Sequence, residues 1–319
     1  MAEQAAVPHQ SASARTVRTG GFFLPGDVQD SDGGAWQLGP SWVQWEAPPE
    51  GTAKKPWVFV HGGGGQSTDW LGVSSEAPGW APQVVEAGFP AYLLDRPGHG
   101  RSPYDPDRLG ARTGFPDYAG AAKVFVPEGT TAANTAWTWG RAPGAAELDA
   151  LVASSAGMLL DTALGQELDA RRIVDLLRRT GTAVLATHSA GAAGGWLAAA
   201  RSPERVRAVI SVEPIGPPFQ DLGPRGRLEH GVAAVPFPSG SGRKPLDGLP
   251  VLVVSGEASG RAGNDAETVS FLERAGAHAS HLHLGAAGIG GNGHGLIFES
   301  NTQAVLEPVL EWLAGINLS

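Results

Sequence analysis

Cysteine is absent from the 319 residues. That absence excludes a disulfide framework, a thiolate zinc site and thiol catalysis, so a nucleophile must be sought among other side chains. Long apolar runs are missing as well: nowhere are about 18 consecutive residues hydrophobic, so no helix is expected to span a bilayer. An excess of positive charge is also lacking. The formal net charge is −9, and without a global positive field neither nucleic acid nor an anionic membrane surface is an expected partner. The opening MAEQAAVPHQSASARTVRTGG holds no apolar run of about 7 to 15 residues behind a basic start, so it does not read as a signal peptide. Location stays open between the cytoplasm, if this N-terminus is native, and a secreted or periplasmic site, if a leader has been removed.

Hydrophobic residues make up 42% of the chain, enough to bury a sizeable core in one large domain. Residues 1–18 are small and polar and read as a flexible tail, leaving 19–319 as the domain. At its start, GGFFLPGD and WQLGPSWVQWEAP alternate between apolar and polar residues and are broken by Gly, Pro and Asp, the pattern of an antiparallel hairpin at a sheet edge. Unbroken apolar runs of strand length follow: WVFV at 57–60, AYLL at 91–94, AVLA at 183–186, VRAVISV at 206–212 and VLVV at 251–254. Runs that do not alternate suit strands covered on both faces. Helical patterns lie between and after them, at roughly 79–88, 165–180, 190–201, 265–275 and 302–314. The alternation predicts an α/β fold with a doubly wound, mostly parallel sheet.

Two stretches exceed the roughly 4 to 6 residues of an ordinary connection. They are 102–164 and the Gly- and Pro-rich 214–248, and both leave from carboxyl ends of strands, where open α/β sheets bind ligands. A lid or pocket wall is expected from them.

The run AVLA leads into Thr187-His188-Ser189-Ala190-Gly191 and then the small-residue stretch AAGGWLAAA. A strand, a tight turn and a helix in this order form a nucleophile elbow, in which small neighbours let the chain push a serine hydroxyl outward. Thr187 stands where the usual G-x-S-x-G pattern has glycine, while Gly191, Ala192, Gly194 and Gly195 keep the helix side small. A serine capping a helix after a buried strand is the plainer alternative. Strand WVFV ends in His61 and four glycines, Gly62 to Gly65. In an architecture of this kind that loop gives one backbone N–H to an oxyanion hole and the residue after the nucleophile gives the other. Gly63 and Ala190 are therefore the expected donors, with Gly64 as an alternative. No Lys-Ser/Thr follows the glycines, as a phosphate-binding loop requires.

A third strand end carries Asp95-Arg96-Pro97-Gly98-His99-Gly100-Arg101-Ser102. Asp95 and Arg96 are expected to fix this turn by ion pairing, with His99 a scaffold residue, since a general base belongs much later in chain order. His294, in the glycine-rich GIGGNGHGLIFES ahead of the last helix, has that position. His278, His281 and His283 compete for it. The last two share one face of a strand, and the three could hold a metal, yet no carboxylate or cysteine ligand lies near them in sequence, so no metal site is expected. For the acid, the common place after VLVV is taken by Ser259. Glu213 closes the preceding strand, next to the elbow strand, where a carboxylate can hold the imidazole tautomer and stabilise imidazolium; Glu257 and Asp265 are its alternatives. His188 beside the serine, with Trp137 and Trp139 in the first long excursion, are candidates for the substrate pocket.

Taken together, GGFFLPG at 20–26, HGGGG at 61, GW at 79, YLLDRPGHGRS at 92, THSAG at 187, SVEP at 211 and GNGH at 291 resemble the bacterial α/β-hydrolase esterases related to the Alcaligenes esterase 713. The likeness spans roughly residues 20–315. It implies the α/β-hydrolase fold and a serine, acid, histidine order that falls on Ser189, Glu213 and His294. Glycines follow His61-Gly62 where relatives can carry cysteines. The expected activity is ester hydrolysis of a small-molecule substrate without a cofactor. Lactone or amide hydrolysis on the same triad, or ligand binding without catalysis, are the alternatives, and a homodimer is an assembly the sequence leaves open.

Overall fold

Strands whose residues are apolar on both faces must be covered on both faces, and the chain meets that demand with one central sheet. The computed structural model describes residues 14–31, 33–74, 77–126, 133–238 and 242–316. Most of the tail expected over 1–18, and the short stretches 127–132 and 239–241 within the two long excursions, lie outside the described residues.

The chain opens with β1 (Arg18–Leu24), then a two-stranded ribbon of β2 (Asp27–Ser31) and β3 (Gly34–Leu38), then β4 (Ser41–Ala47). The edge hairpin read from the sequence is thus β1 against β4, antiparallel from Arg18↔Ala47 to Leu24↔Ser41, with the ribbon between them in the chain. β5 (Trp57–Val60), α1 (Trp80–Glu86) and β6 (Ala91–Leu94) follow. Among its described residues the first excursion carries three short helices, α2 (Pro106–Leu109), α3 (Tyr118–Phe125) and α4 (Ala146–Ser154), and α5 (Thr162–Thr180) returns the chain to the sheet. Then come β7 (Ala183–His188), α6 (Ala192–Arg201), β8 (Val206–Val212), β9 (Pro250–Ser255), α7 (Ala262–Arg274), β10 (His278–His283) and α8 (Thr302–Gly315).

The sheet has eight strands in the order β1-β4-β6-β5-β7-β8-β9-β10. From β6 to β10 every pairing is parallel, and β4 joins β6 antiparallel. Alternate residues feed two cores. Trp57, Phe59, Ala186, Ile210, Val212, Leu252 and Val254 meet α1, α8 and the first excursion on one face. Val58, Val60, Leu185, Val209, Val251 and Val253 meet α5, α6 and α7 on the other.

Two elements differ from the sequence expectation, each for a physical reason. β7 runs past the apolar AVLA to His188, because Thr187 and His188, although polar, are buried and pair with Ser211 and Val212 of β8. β10, His-Ala-Ser-His-Leu-His, has no apolar run; it closes the sheet edge, where one flank is open and burial is partial.

Candidate active site

At the end of β7 the chain enters a strained turn. Only three described residues other than glycine have positive φ, and two of them are Ser189 (φ 49) and Glu213 (φ 48). Non-glycine residues in this region cost free energy, and such strain collects at functional sites. The two turns are tied together: Ile215 N–H donates to the Ser189 carbonyl at 3.0 Å, and Glu213 N–H to the Val254 carbonyl at 2.8 Å. The elbow needs glycine at Gly191, where a Cβ would collide with the His61 carbonyl. Thr187 is tolerated in place of the usual glycine because its Cγ2 occupies the space beside Gly195, where a Cβ would come within 2.6 Å.

The three side chains singled out for acid, base and nucleophile stand in one line. His294 Nε2 is 3.0 Å from Ser189 Oγ, and His294 Nδ1 is 3.2 Å from Glu213 Oε2. The other Glu213 oxygen accepts the Gly256 N–H at 2.6 Å, and Arg261 Nε lies 3.4 Å from Oε2. Glu213 is fully buried, and burial raises its pKa to about 7 against the pull of Arg261. Burial and Arg261 lower that of His294, so the imidazole rests neutral. Glu257 and Asp265, the alternative acids, do not reach the ring: Glu257 accepts the Gly291 N–H at 2.9 Å, and Asp265 accepts the Ser255 hydroxyl at 2.6 Å.

Gly63 and Ala190 approach each other beside the cavity. A Cβ on Gly63 would lie 3.3 Å from that of Ala190, and both residues line the same cavity as Ser189 and His294. Among the described residues neither amide donates to a turn or loop carbonyl. The glycine loop is held from behind. Arg96 N–H donates to His61 Nε2 at 3.0 Å, so His61 donates from Nδ1 to the Gly62 carbonyl at 2.8 Å. Arg96 Nη1 reaches the same carbonyl at 3.1 Å while the guanidinium pairs with buried Asp169 at 2.7 Å. The ion pairing of this turn therefore differs from the expectation: Arg96 pairs with Asp169, and Asp95 with Arg101 at 3.2 Å. Sequence separation hid Asp169. His99 is buried with Nδ1 on the Pro97 carbonyl, and its ring packs on that of His61.

His188 lines the cavity and also supports His294: its Nε2 donates to the His294 carbonyl at 2.9 Å, and its ring lies 4.8 Å from that of His294. The tryptophans are a correction. Trp137 is buried in the first hydrophobic core, with Trp139 packed edge-on at 5.0 Å, and neither lines the cavity. Indoles this large fill core volume more readily than they face an open cleft. From the same excursion, Phe125, Leu151 and Met158 border the cavity instead, whose volume is about 360 Å³.

Glu299, like Asp169 and Arg261, carries no clear mark in the sequence. Glu299, fully buried, accepts from the Gly293 N–H at 2.9 Å, from Asn292 Nδ2 at 2.8 Å and from Asn134 Nδ2 at 3.2 Å. It anchors the His294 loop to the first excursion, and burial raises its pKa to about 7. The only available signal was a lone carboxylate in an apolar run, GLIFES. His278, His281 and His283 lie on β10, where His281 Nε2 contacts Ser255 Oγ at 2.7 Å. Among the described residues no group of three potential metal ligands converges, and no helix is long and apolar enough to cross a membrane.

Comparison with known proteins agrees with this architecture. A protein named as a probable secreted lipase, from Fungal sp. (strain ATCC 74256), is 28% identical over 323 residues, covering 88% of this chain and 87% of that one. A solved structure described as a novel bacterial esterase superposes with a TM-score of 0.69 over all of both chains at 19% identity. A membrane phospholipase A described as a bacterial virulence factor gives 0.50 at 14% identity, over 93% of this chain and 87% of that one; at such identities these two likenesses concern the fold. The sequence model of the alpha/beta hydrolase fold matches residues 55–222, more than half of the chain. With the doubly wound sheet and the strand-turn-helix at Ser189 in view, the chain belongs to the α/β-hydrolase fold family.

Proposed function

We propose that this protein is a serine esterase that hydrolyses carboxylic esters through an acyl-enzyme on Ser189. The observation that carries the reading is the line from Ser189 Oγ through both nitrogens of His294 to Glu213, set beside a cavity of about 360 Å³. Neutral His294 takes the hydroxyl proton at Nε2 as Oγ bonds to the ester carbonyl carbon. The carbonyl oxygen, now negative, lies on the Gly63 and Ala190 amides. Imidazolium, stabilised by Glu213, passes its proton to the departing alkoxide as the ester C–O bond breaks. Water then repeats the sequence on the acyl-serine, leaving acid, alcohol and free enzyme. The roles are those an acyl-transfer site of this geometry requires, and a cavity of about 360 Å³ leaves room for a small-molecule ester; the steps call on this chain's residues and water. The fungal relative, named as a probable secreted lipase, supports both an ester substrate and a secreted location.

The test is Ser189→Ala against p-nitrophenyl acetate, with circular dichroism to show that the variant folds. Activity should fall on the order of 10⁴-fold or more, because members of such a triad act as a unit. A fluorophosphonate probe should label the wild type at Ser189 and leave the variant unlabelled. Retained turnover or labelling in the variant removes the serine mechanism.

A further inference from the structure

The long excursion 214–248 places one cation in the cavity that the proposed chemistry does not use. Arg225 ends a short 3₁₀ turn, Gly223–Arg225, and lines both the main cavity and a smaller one of about 30 Å³ beside it. The turn is held firmly: Leu222 N–H donates to the Gly226 carbonyl at 2.8 Å, and Gly223 N–H to the Asp221 carboxylate at 2.8 Å. The guanidinium itself meets a sulfur, with Nη1 3.4 Å from Met158 Sδ. Met158 in turn lies against Gly63, where a Cβ would collide with the same sulfur. One thioether thus separates the guanidinium from the proposed oxyanion amide.

The neighbouring carboxylates are occupied elsewhere. Asp169 pairs with Arg96 at 2.7 Å, Asp161 caps α5 through the Leu164 N–H at 2.9 Å, and Glu213 faces Arg261 and His294. Asp69, also on the cavity wall, is buried and raised to about 7, so much of its charge is lost near neutrality. The charge that bears most on Arg225 is another cation, Arg96, and burial with that cation lowers its pKa. A half-buried guanidinium facing a cavity without a carboxylate partner among the described residues is a ready acceptor site for an anion.

Resting on the esterase reading, we infer that Arg225 is a specificity-determining residue that selects esters carrying a carboxylate a few bonds from the scissile carbonyl. The neutral oxyanion loop fixes the reacting end, and the guanidinium fixes the far end across Met158. Hydrolysis of such a substrate yields an acid and an alcohol, one of which retains the second carboxylate. Free energy of binding from that remote end favours the anionic ester over its neutral counterpart.

Two matched pairs test this by kcat/KM: 4-acetoxybenzoate against 4-acetoxybenzamide, with the charge on the leaving group, and monomethyl glutarate against methyl pentanoate, with the charge on the acyl group. In the wild type at least one anionic member should be preferred by about 10- to 100-fold, the range for a hydrogen bond to a charged group. Arg225→Met should bring that ratio to about unity, and Arg225→Lys should restore part of it. The pair that responds tells which side of the ester faces Arg225. Should Arg225→Met fail to fold, benzoate must compete with p-nitrophenyl acetate in the wild type where benzamide does not. Equal turnover of both members in both pairs, or a ratio unchanged by Arg225→Met, overturns the inference while leaving the esterase reading intact. If no ester is cleaved at all, the esterase reading fails separately. Calorimetry then decides the anion site: benzoate should bind the wild type and not Arg225→Met, and equal binding to both, or none to the wild type, overturns it.

Discussion

The strand-end rim and the first excursion both border the cavity, yet they are built on opposite terms. On the rim, Ser189 and Glu213 sit at positive φ and are fixed by hydrogen bonds to neighbouring strand ends, so position is bought with strain and with buried charge. In the excursion, Trp137 and Leu148 sink into the first core, Leu151 packs there and also reaches the cleft, and neighbours such as Phe125 and Met158 border it. Rim residues hold the proposed reactive groups against their own stability, whereas excursion residues hold the wall in place by burying apolar surface. Damage to the first should therefore appear as lost rate, and damage to the second as lost stability.

Glu213→Gln is the sharpest way to break that distinction. An amide in place of the carboxylate can present its NH₂ to Nδ1 and favour the wrong imidazole tautomer, so kcat/KM should fall by on the order of 10² to 10⁴. In the wild type, kcat/KM should rise with pH as Glu213 ionises near neutrality, since the Nδ1–H needs an ionised acceptor and burial holds Glu213 at about 7. Stability runs the other way. A carboxyl whose folded pKa is raised contributes stability that is complete below its unfolded value and lost as pH rises through about 7. Glutamine cannot ionise, so the difference in Tm between variant and wild type should shift in the variant's favour from pH 5 to pH 8. A rate loss of less than about tenfold, equal to that of Glu257→Gln, would move the acid elsewhere.

Trp137→Ala probes the other region. Removing an indole that is 3% exposed leaves a cavity in the core, at a cost of about 3 to 5 kcal/mol. Thermal unfolding should fall by roughly 5 to 10 °C. At a temperature where the variant remains folded, kcat/KM for p-nitrophenyl acetate should stay within about threefold of wild type, since the side chain does not face the cavity. A rate loss of the size expected for Glu213→Gln would return Trp137 to the pocket and erase the contrast.

What could be read from the sequence follows the same division. The buried parallel strands announce themselves by apolar runs such as WVFV and VLVV, while edge strand β10 does not, because partial burial removes the need for such a run. Ser189 and His294 stand out as candidates because a tight turn and a glycine-rich loop leave composition signatures. Glu213 was legible by position, at the end of the strand beside the elbow, although its backbone strain has no sequence signal. Arg96 with Asp169, and Glu299 with Asn134, join residues far apart in the chain, and nothing local marks either partner. The tryptophans misled because location in a long excursion says nothing about which way a side chain faces.

Glu299 belongs to both regions, and its replacement makes the smallest and most discriminating change. Its carboxylate gathers the Gly293 N–H beside the base, Asn292 on the same loop and Asn134 in the excursion. Glu299→Gln preserves size and one acceptor oxygen but replaces the other with a donor, which must then face Asn292 Nδ2, the Gly293 N–H or Asn134 Nδ2. Losing one such buried hydrogen bond costs about 1 to 3 kcal/mol, so stability should fall modestly. Because Glu299 also ties down the loop that carries His294, kcat should drop by roughly tenfold with KM little changed, the pattern of an interaction that matters in the transition state. A purely structural anchor would lower Tm and leave kcat alone. The pH at which kcat/KM is half-maximal offers a second readout: Glu299 bears on Glu213 as a like charge when ionised, so neutral Gln should move the acid limb to slightly lower pH. An unmoved limb together with an unchanged kcat would assign Glu299 wholly to the excursion's packing and leave the rim to hold its base unaided.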